Sequence, residues 1–298
     1  MKWAQTFDEA IAEESPLEAA IVQARWERVR DDGLSYALET SRVGGDYTPR
    51  LGFQARHNFR MLGGRMQYKR FQAASSPLRS MAFSVSGREY ERTTDGTAES
   101  RAIEPTLNVE LKNGKQLMLA GRATYESVRD PFDVAGATVE PGNYWFHEAS
   151  ARLELPRSGR FRGDFVATAG SFYDGTRFGV SANPAWNPSR YLELRGGYEL
   201  NHLEFAERNQ SATAQLVRLN VQVALNTRLS FNTLAQYSNA ADQAAFNARF
   251  RYNFREGTDL WVVYNEGLNT ERDVIDGPRL PASSGRALMV KYTHTLVW

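Results

Sequence analysis

The side chains with the most reactive chemistry are few and scattered along the chain. The four histidines stand at His57, His147, His202 and His294, with no HxxxH or HxH spacing and no histidine–carboxylate cluster, so a local metal motif is absent. There is no cysteine, which excludes disulfides, thiolate catalysis and cysteine-ligated metals. No P-loop, GxGxxG or GxSxG pattern occurs. Two pairs could do chemistry if a sheet brought them together. His147 and Ser171 share a parity on two segments joined through a turn at Arg157 to Gly159, where a serine and its base would suit a lipid hydrolase at an interface. Glu148 and Asp164 on facing segments could act as the acid and base of a glycosidase. Each pair also has a plain structural reading: serine and histidine tolerate a headgroup region, and charges of both signs inside a barrel usually form a network. The sequence therefore reads as a non-enzyme, with no cofactor and no metal.

Composition narrows the classes further. Thirty-six Lys plus Arg against 35 Asp plus Glu give a formal charge of +1, without the bulk basicity of a nucleic-acid binder. The mean hydropathy is −0.52 although 42% of residues are hydrophobic. No stretch approaches the roughly 20 apolar residues of a transmembrane helix. The start, Met1 to Glu9, turns acidic where an export signal needs its apolar region, so an exported chain is expected to have a truncated start here.

The elements that would position any site are strands. From about residue 33 onward apolar and polar residues alternate with period two in segments of about 10 to 14 residues. In Gln243 to Arg255, Ala244, Phe246, Ala248, Phe250, Tyr252 and Phe254 share one face, while Gln243, Asn247, Arg249, Arg251, Asn253 and Arg255 share the other. The same pattern sets Val217, Leu219, Val221 and Val223 against Arg218, Asn220 and Gln222, and Leu192, Leu194 and Tyr198 against Glu193, Arg195 and Glu199. About fifteen such strands lie between Leu34 and Trp298, and a weaker one at Ala19 to Arg30 makes about sixteen. At about 3.3 Å per residue and a tilt of about 45°, their height matches a bilayer's hydrocarbon core.

Connections alternate in length. Long or medium ones are expected at Leu268 to Ser284, Ala240-Ala241, Ala206 to Ala212 and Arg129 to Gly142. Tight ones are expected at Glu256-Gly257, Asn226-Thr227, Asn187-Pro188-Ser189, Arg157-Ser158-Gly159 and Asn113-Gly114. Tyr173-Asp174-Gly175 is a short turn where the alternation calls for a long one. Outer-membrane barrels have short periplasmic turns and longer outer loops. The pattern thus predicts an all-β, antiparallel transmembrane β-barrel of about 14–16 strands, whole or part of a larger one. A soluble β-sandwich is the competing reading, against which stand the strand length and a polar face rich in Arg, Asn, Gln and Glu.

On the barrel reading the polar face is a lumen. Its main candidates are Arg152, Arg162, Arg195, Arg218, Arg249, Arg251 and Arg255 with Glu148, Glu193, Glu199 and Asp259. Arg56, Arg60, Arg88, Arg122, Arg177 and Lys291, with Glu104, Glu110, Glu126, Glu154 and Asp164, extend the set. The modest positive excess implies a slight anion preference if the lumen is open. The end of the chain, with Tyr292, Leu296 and Trp298 on one face, looks like the C-terminal signal read by the barrel-assembly machinery.

The segment Val43-Gly44-Gly45-Asp46-Tyr47-Thr48-Pro49-Arg50-Leu51-Gly52-Phe53-Gln54-Ala55-Arg56, followed by Gly170 to Gly175, Asn187 to Leu192 and Arg249 to Asn265, resembles a bacterial family. That family is the outer-membrane β-barrel domain of unknown function found C-terminal to a family-9-like carbohydrate-binding module in large surface proteins. The resemblance covers about residues 20 to 298, with motifs that are modest singly and fairly specific in their order. It implies that the chain corresponds to the C-terminal part of a longer protein, with the carbohydrate-binding module upstream of it.

Together these readings give an N-terminal segment at 1–18, periplasmic or a truncated end, and a barrel domain at 19–298. The expected role is a membrane anchor or passive conduit of the bacterial outer membrane, linked to surface carbohydrate through an upstream module. A diffusion pore and an interfacial hydrolase are the alternatives. The expected partners are outer-membrane lipid and the assembly machinery, with no nucleic acid.

Overall fold

The structure is a computed structural model that describes residues 1–5, 16–49, 53–54, 56–134, 136–273 and 277–295. Leu296 and Trp298 of the assembly signal, and Arg50, Leu51, Gly52 and Ala55 of the first family motif, lie outside the described residues. The described chain is all-β and antiparallel, with eighteen strands. Sixteen are ordered in one sheet as they are in the chain; fourteen of them lie from residue 33 on, one fewer than the alternation suggests, and the sixteenth is a strand at Lys2–Gln5, in the segment expected to precede the barrel, which pairs with Ala20–Gln23. This is the up-and-down arrangement from which transmembrane barrels are built.

The chain divides into two compact units, Met1–Ala151 with Ala169–Thr176, and Arg152–Thr168 with Arg177–Trp298. The first holds β1 (Lys2–Gln5), β2 (Ala20–Arg28), β3 (Gly33–Val43), β4 (Phe59–Phe71), β5 (Leu78–Arg92), β6 (Ala98–Leu111) and β7 (Gln116–Val128). It also holds a small hairpin of β8 (Phe132–Val134) and β9 (Ala137–Val139), most of β10 (Gly142–Glu154) and the end of β11 (Phe161–Phe172). The second contains most of β12 (Gly175–Ser189), then β13 (Leu192–Phe205), β14 (Gln210–Ala224), β15 (Leu229–Ser238), β16 (Gln243–Arg255), β17 (Thr258–Asn269) and β18 (Ser283–His294). From β3 on, the main-sheet strands run to between 10 and 15 residues, roughly twice the usual length for a soluble sheet.

Parity explains the pairing. In the first unit Leu34 faces Tyr68, Tyr36 faces Met66, Tyr68 faces Phe83, Phe83 faces Leu107 and Leu107 faces Leu119. In the second, Val217 faces Tyr237, Val223 faces Phe231, Phe231 faces Phe250, Phe250 faces Val262 and Val262 faces Val290. Each unit thus carries one continuous apolar face and one polar face, because consecutive side chains point to opposite sides of a strand. The apolar faces are uncovered: Leu62 is 65% exposed, Val290 66% and Leu288 68%.

The connections follow the expected alternation only in part. In the first unit the long connections 44–58 and 129–141 contrast with 29–32 and 112–115, but 93–97, where the alternation calls for a long one, is no longer than 72–77. In the second, 190–191 and 256–257 are tight and 270–282 is long, whereas 206–209, 225–228 and 239–242 are of equal length. Two turn placements differ from expectation. Asn187-Pro188-Ser189 ends β12 instead of turning, because the Asn187 N–H still donates to the Arg160 carbonyl, and the turn falls at 190–191. The long loop expected at Ala206 to Ala212 is a 3-10 turn, Ala206–Arg208, closed by Asn209 in the left-handed region at φ 52°. Gly257, at φ 74°, makes the two-residue turn before β17 possible, where a Cβ would also stand 2.9 Å from Thr295.

Buried apolar packing is local. Ile21, Val43 and Phe59 stand in one register row of the first unit and are 0 to 6% exposed, with Ala4, Tyr47, Met61 and Tyr90 against them. Ala20 and Glu18 carbonyls accept the N–H groups of Gly44 and Asp46, which folds the loop after β3 back over this row. Removing the Phe59 ring should leave a cavity beside Ile21 and Val43, so Phe59→Ala is expected to cost about 3–5 kcal/mol, read as a lowered denaturant midpoint with unchanged slope.

Candidate functional site

The polar face of the second unit is a lattice of cross-strand ion pairs. Across strands Arg152 donates to Asp164 at 2.6 Å and Arg251 to Asp259 at 2.8 Å, and within β13 Arg195 donates to Glu193 at 2.7 Å. Arg162 bonds both Glu193 and Asn187, and Arg218 bonds Glu199. Amides fill the intervals: Arg177 donates to Asn201 at 3.1 Å, Asn220 to Asn232 at 3.3 Å, and Asn247 pairs with Asn265. Such pairs are half-exposed, so each contributes modestly; their collective effect is to fix register.

The polar face of the first unit is more open. Glu39 is shared by Arg88 at 2.6 Å and Arg25 at 3.5 Å, and it reaches Arg88 by crossing over Gly63. A Cβ on Gly63 would stand 3.0 Å from the Glu39 Cγ and Oε1, so a larger residue would require Glu39 to shift. Arg56 lies over the Tyr90 ring at 4.2 Å and donates to Ser100 at 3.3 Å. Between these groups is a recess of about 640 Å³ lined by Ala37, Ser86, Ala102 and Thr124 at its floor and by six arginines and three glutamates. The register builds it: Ala37 faces Arg65, Arg65 faces Ser86 and Ser86 faces Glu104, and the pairs Ile103 with Ala123 and Thr106 with Ala120 carry the row on to Arg122.

Next to it, the β8–β9 hairpin folds onto an aromatic cluster. Tyr173 contacts Phe132, Tyr144, Phe146 and Phe172 at ring distances between 4.8 and 5.6 Å, and its hydroxyl donates to Glu126 at 2.5 Å. Desolvation, then the Glu126 hydrogen bond, pushes its phenol above the usual range. This explains the short Tyr173-Asp174-Gly175 connection: Tyr173, at φ 51°, spends its side chain on packing the neighbouring loop.

The candidate catalytic pairs are used otherwise. The Ser171 hydroxyl accepts the main-chain N–H of His147 at 2.8 Å, so it is tied to the backbone of that residue. Asp164 is held by Arg152. Glu148 lies on the polar parity of β10, and Arg249 faces Asn232 and Val263. Arg255 ends β16, with its carbonyl accepting the Asn253 amide. Among the described residues no group of three His, Asp or Glu forms a metal-ligand cluster. Arg60 departs from expectation: it shares the parity of Leu62 and Met66, because the Gly63-Gly64 pair hides which face is apolar. Arg25, Glu39 and Arg65 were not among the expected polar-face residues, although Glu39 follows Leu38 in clean alternation and could have been found by it.

No family profile matches the chain, and no curated protein matches it. Among solved structures, a point mutant of the ferric enterobactin receptor of Pseudomonas aeruginosa in complex with enterobactin is similar at 11% identity, with a TM-score of 0.39. The match covers 83% of this chain and 51% of that one, so the chain spans about half the length of that receptor.

In the loop after β5, Asp95 accepts the Thr97 hydroxyl at 2.6 Å and its N–H at 3.0 Å, and it pairs with Arg129. These partners, Thr97 first, hold its carboxyl well below the usual carboxylate range. A lowered folded value stabilises the loop above the unfolded pKa of about 3.9 and loses that contribution as pH falls toward the folded value. Asp95→Asn is therefore expected to reduce hydrogen-exchange protection of the Thr97 amide at pH 7, with the difference from wild type closing on acidification below about pH 4.

Proposed function

We propose that the chain is an outer-membrane β-barrel domain that serves as a membrane anchor or passive conduit. One observation carries this reading: long strands keep an uncovered apolar face while the opposite face is zipped by ion pairs. In water that distribution would be costly, since apolar patches of this extent drive association. In a bilayer it is required, because lipid solvates the apolar face and cannot satisfy a free strand edge. Closure, with β1 and β18 brought together, is part of the proposal. So is the link to surface carbohydrate through an upstream module, which rests on the motif resemblance alone.

A diffusion pore with a slight anion preference is the second reading, favoured by the arginine excess around the recess. Reversal potentials in a salt gradient that favour cations would count against it.

Two measurements test the membrane reading. Outer-membrane fractions probed with an antibody to this domain should give a band that shifts between unboiled and boiled samples; a signal confined to the soluble fraction overturns it. Leu219 is 48% exposed in the middle of β14, a position where arginine would be harmless on a water-facing sheet. Leu219→Arg is expected to cost about 2–4 kcal/mol of folding stability in lipid vesicles, as for a lipid-facing site near the midplane.

A further inference from the structure

The ion pairs of the polar face leave one region out of balance. On the recess of the first unit, Glu39 is already divided between Arg25 and Arg88, and Glu126 accepts the Tyr173 hydroxyl. Among the described residues Arg65 and Arg122 have no carboxylate within ion-pair distance; Arg65 donates only to the neutral Gln67, at 2.7 Å. Both are exposed on the same register row, with Glu104 between them as one carboxylate for two guanidinium groups. The floor of the recess is kept low by Ala37, Ser86 and Ala102, while long arginines rise around it. Elsewhere on the polar faces arginine is chiefly matched by a neighbouring acid or amide, so the space and the excess charge coincide here.

Guanidinium groups offer paired N–H donors in a planar fork that matches carboxylate and phosphate oxygens. A cavity of about 640 Å³ is of the size that small ligands occupy. Arg65 and Arg122 stand three strands apart, about 14 Å along the sheet, so their flexible heads can converge on opposite ends of a ligand with more than one anionic group. A monovalent ion would engage only one of them.

We infer that this recess binds a small polyvalent oxyanion, a solute bearing phosphate-ester or several carboxylate groups, with Arg65 and Arg122 as its principal contacts and Arg88 and Arg56 at its sides. The inference rests on the proposed function only for where such a solute is met, since every residue involved lies in the first unit. The site would retain anions at one wall of the conduit, which goes beyond a general charge preference.

The test uses the full chain folded in detergent micelles, titrated calorimetrically with pyrophosphate, with citrate and with a neutral trisaccharide. The expected result is saturable binding of pyrophosphate, citrate or both, none of the trisaccharide, and at least tenfold weaker binding in the Arg65→Gln/Arg122→Gln double variant. Among the described residues neither arginine is in an ion pair and both are exposed, so the variant is expected to fold, and the gel shift on boiling checks this. Arg157→Gln, in an exposed turn, should bind like wild type. Binding of pyrophosphate alone assigns the site to phosphate esters, and binding of citrate extends it to polycarboxylates. Absence of saturable binding by both anions, equal affinity in the double variant, or binding of the trisaccharide would overturn the inference. Loss of the gel shift in the wild type would instead overturn the membrane reading, while the titration would still report on the recess.

Discussion

Register is the constraint on which everything else in this protein depends. With a side-chain period of two, a slip of one residue between neighbouring strands would exchange the apolar and polar faces of all strands beyond it. Where β5 pairs with β6, β16 with β17 and β17 with β18, register irregularities fall close to strand ends, at Leu78/Ser80, Tyr90/Glu91, Asn253/Arg255 and Gly267/Leu268. The middles of these strands are left in strict alternation, so Phe231, Phe250, Val262 and Val290 remain on one face through four successive strands. The ion pairs contribute to the same end: a carboxylate such as Glu39, bridged to arginines on two other strands, meets both only in the correct register.

A single layer that keeps its register this way has little need of a conventional core. Peptide groups are satisfied laterally by neighbouring strands, and the polar side chains satisfy one another across the strands. The small buried cluster of Ile21, Val43 and Phe59 sits at the end of the first unit where a long connection returns over the sheet. It fastens a loop, as the aromatic group around Tyr173 fastens the β8–β9 hairpin. Apolar burial therefore secures connections, while the bulk of the apolar surface is left for the surroundings to solvate.

Most of this architecture was legible in the sequence because alternation is a local property. Gln243 to Arg255 declares both its faces without reference to any other strand, and Arg251 and Asp259 could be assigned to the polar side by counting alone. Glycine is where counting fails. Gly63-Gly64 erases the distinction between faces for one pair of residues, which put Arg60 on the wrong side and left Arg65 out. The turns were less legible for a related reason: Pro188 signals a break, yet a proline at the last residues of a strand costs no ladder bond where its missing N–H would point outward. The coupling of Ser171 to the His147 backbone could not be read at all, since nothing in the spacing separates a hydroxyl that serves a ring from one that serves a peptide group.

The recess lies beside the place where Glu39 crosses Gly63 to reach Arg88. A side chain at that position would crowd Glu39 and force it to shift. With glycine there one carboxylate reaches arginines on two other strands, of which Arg25 also has Glu27 at 2.6 Å. The neighbouring row has Arg65 and Arg122 around a single Glu104. A shortage of acids at the level of register thus becomes an excess of cationic donors at the level of the surface, in the place where small floor residues leave room for an anion to meet them.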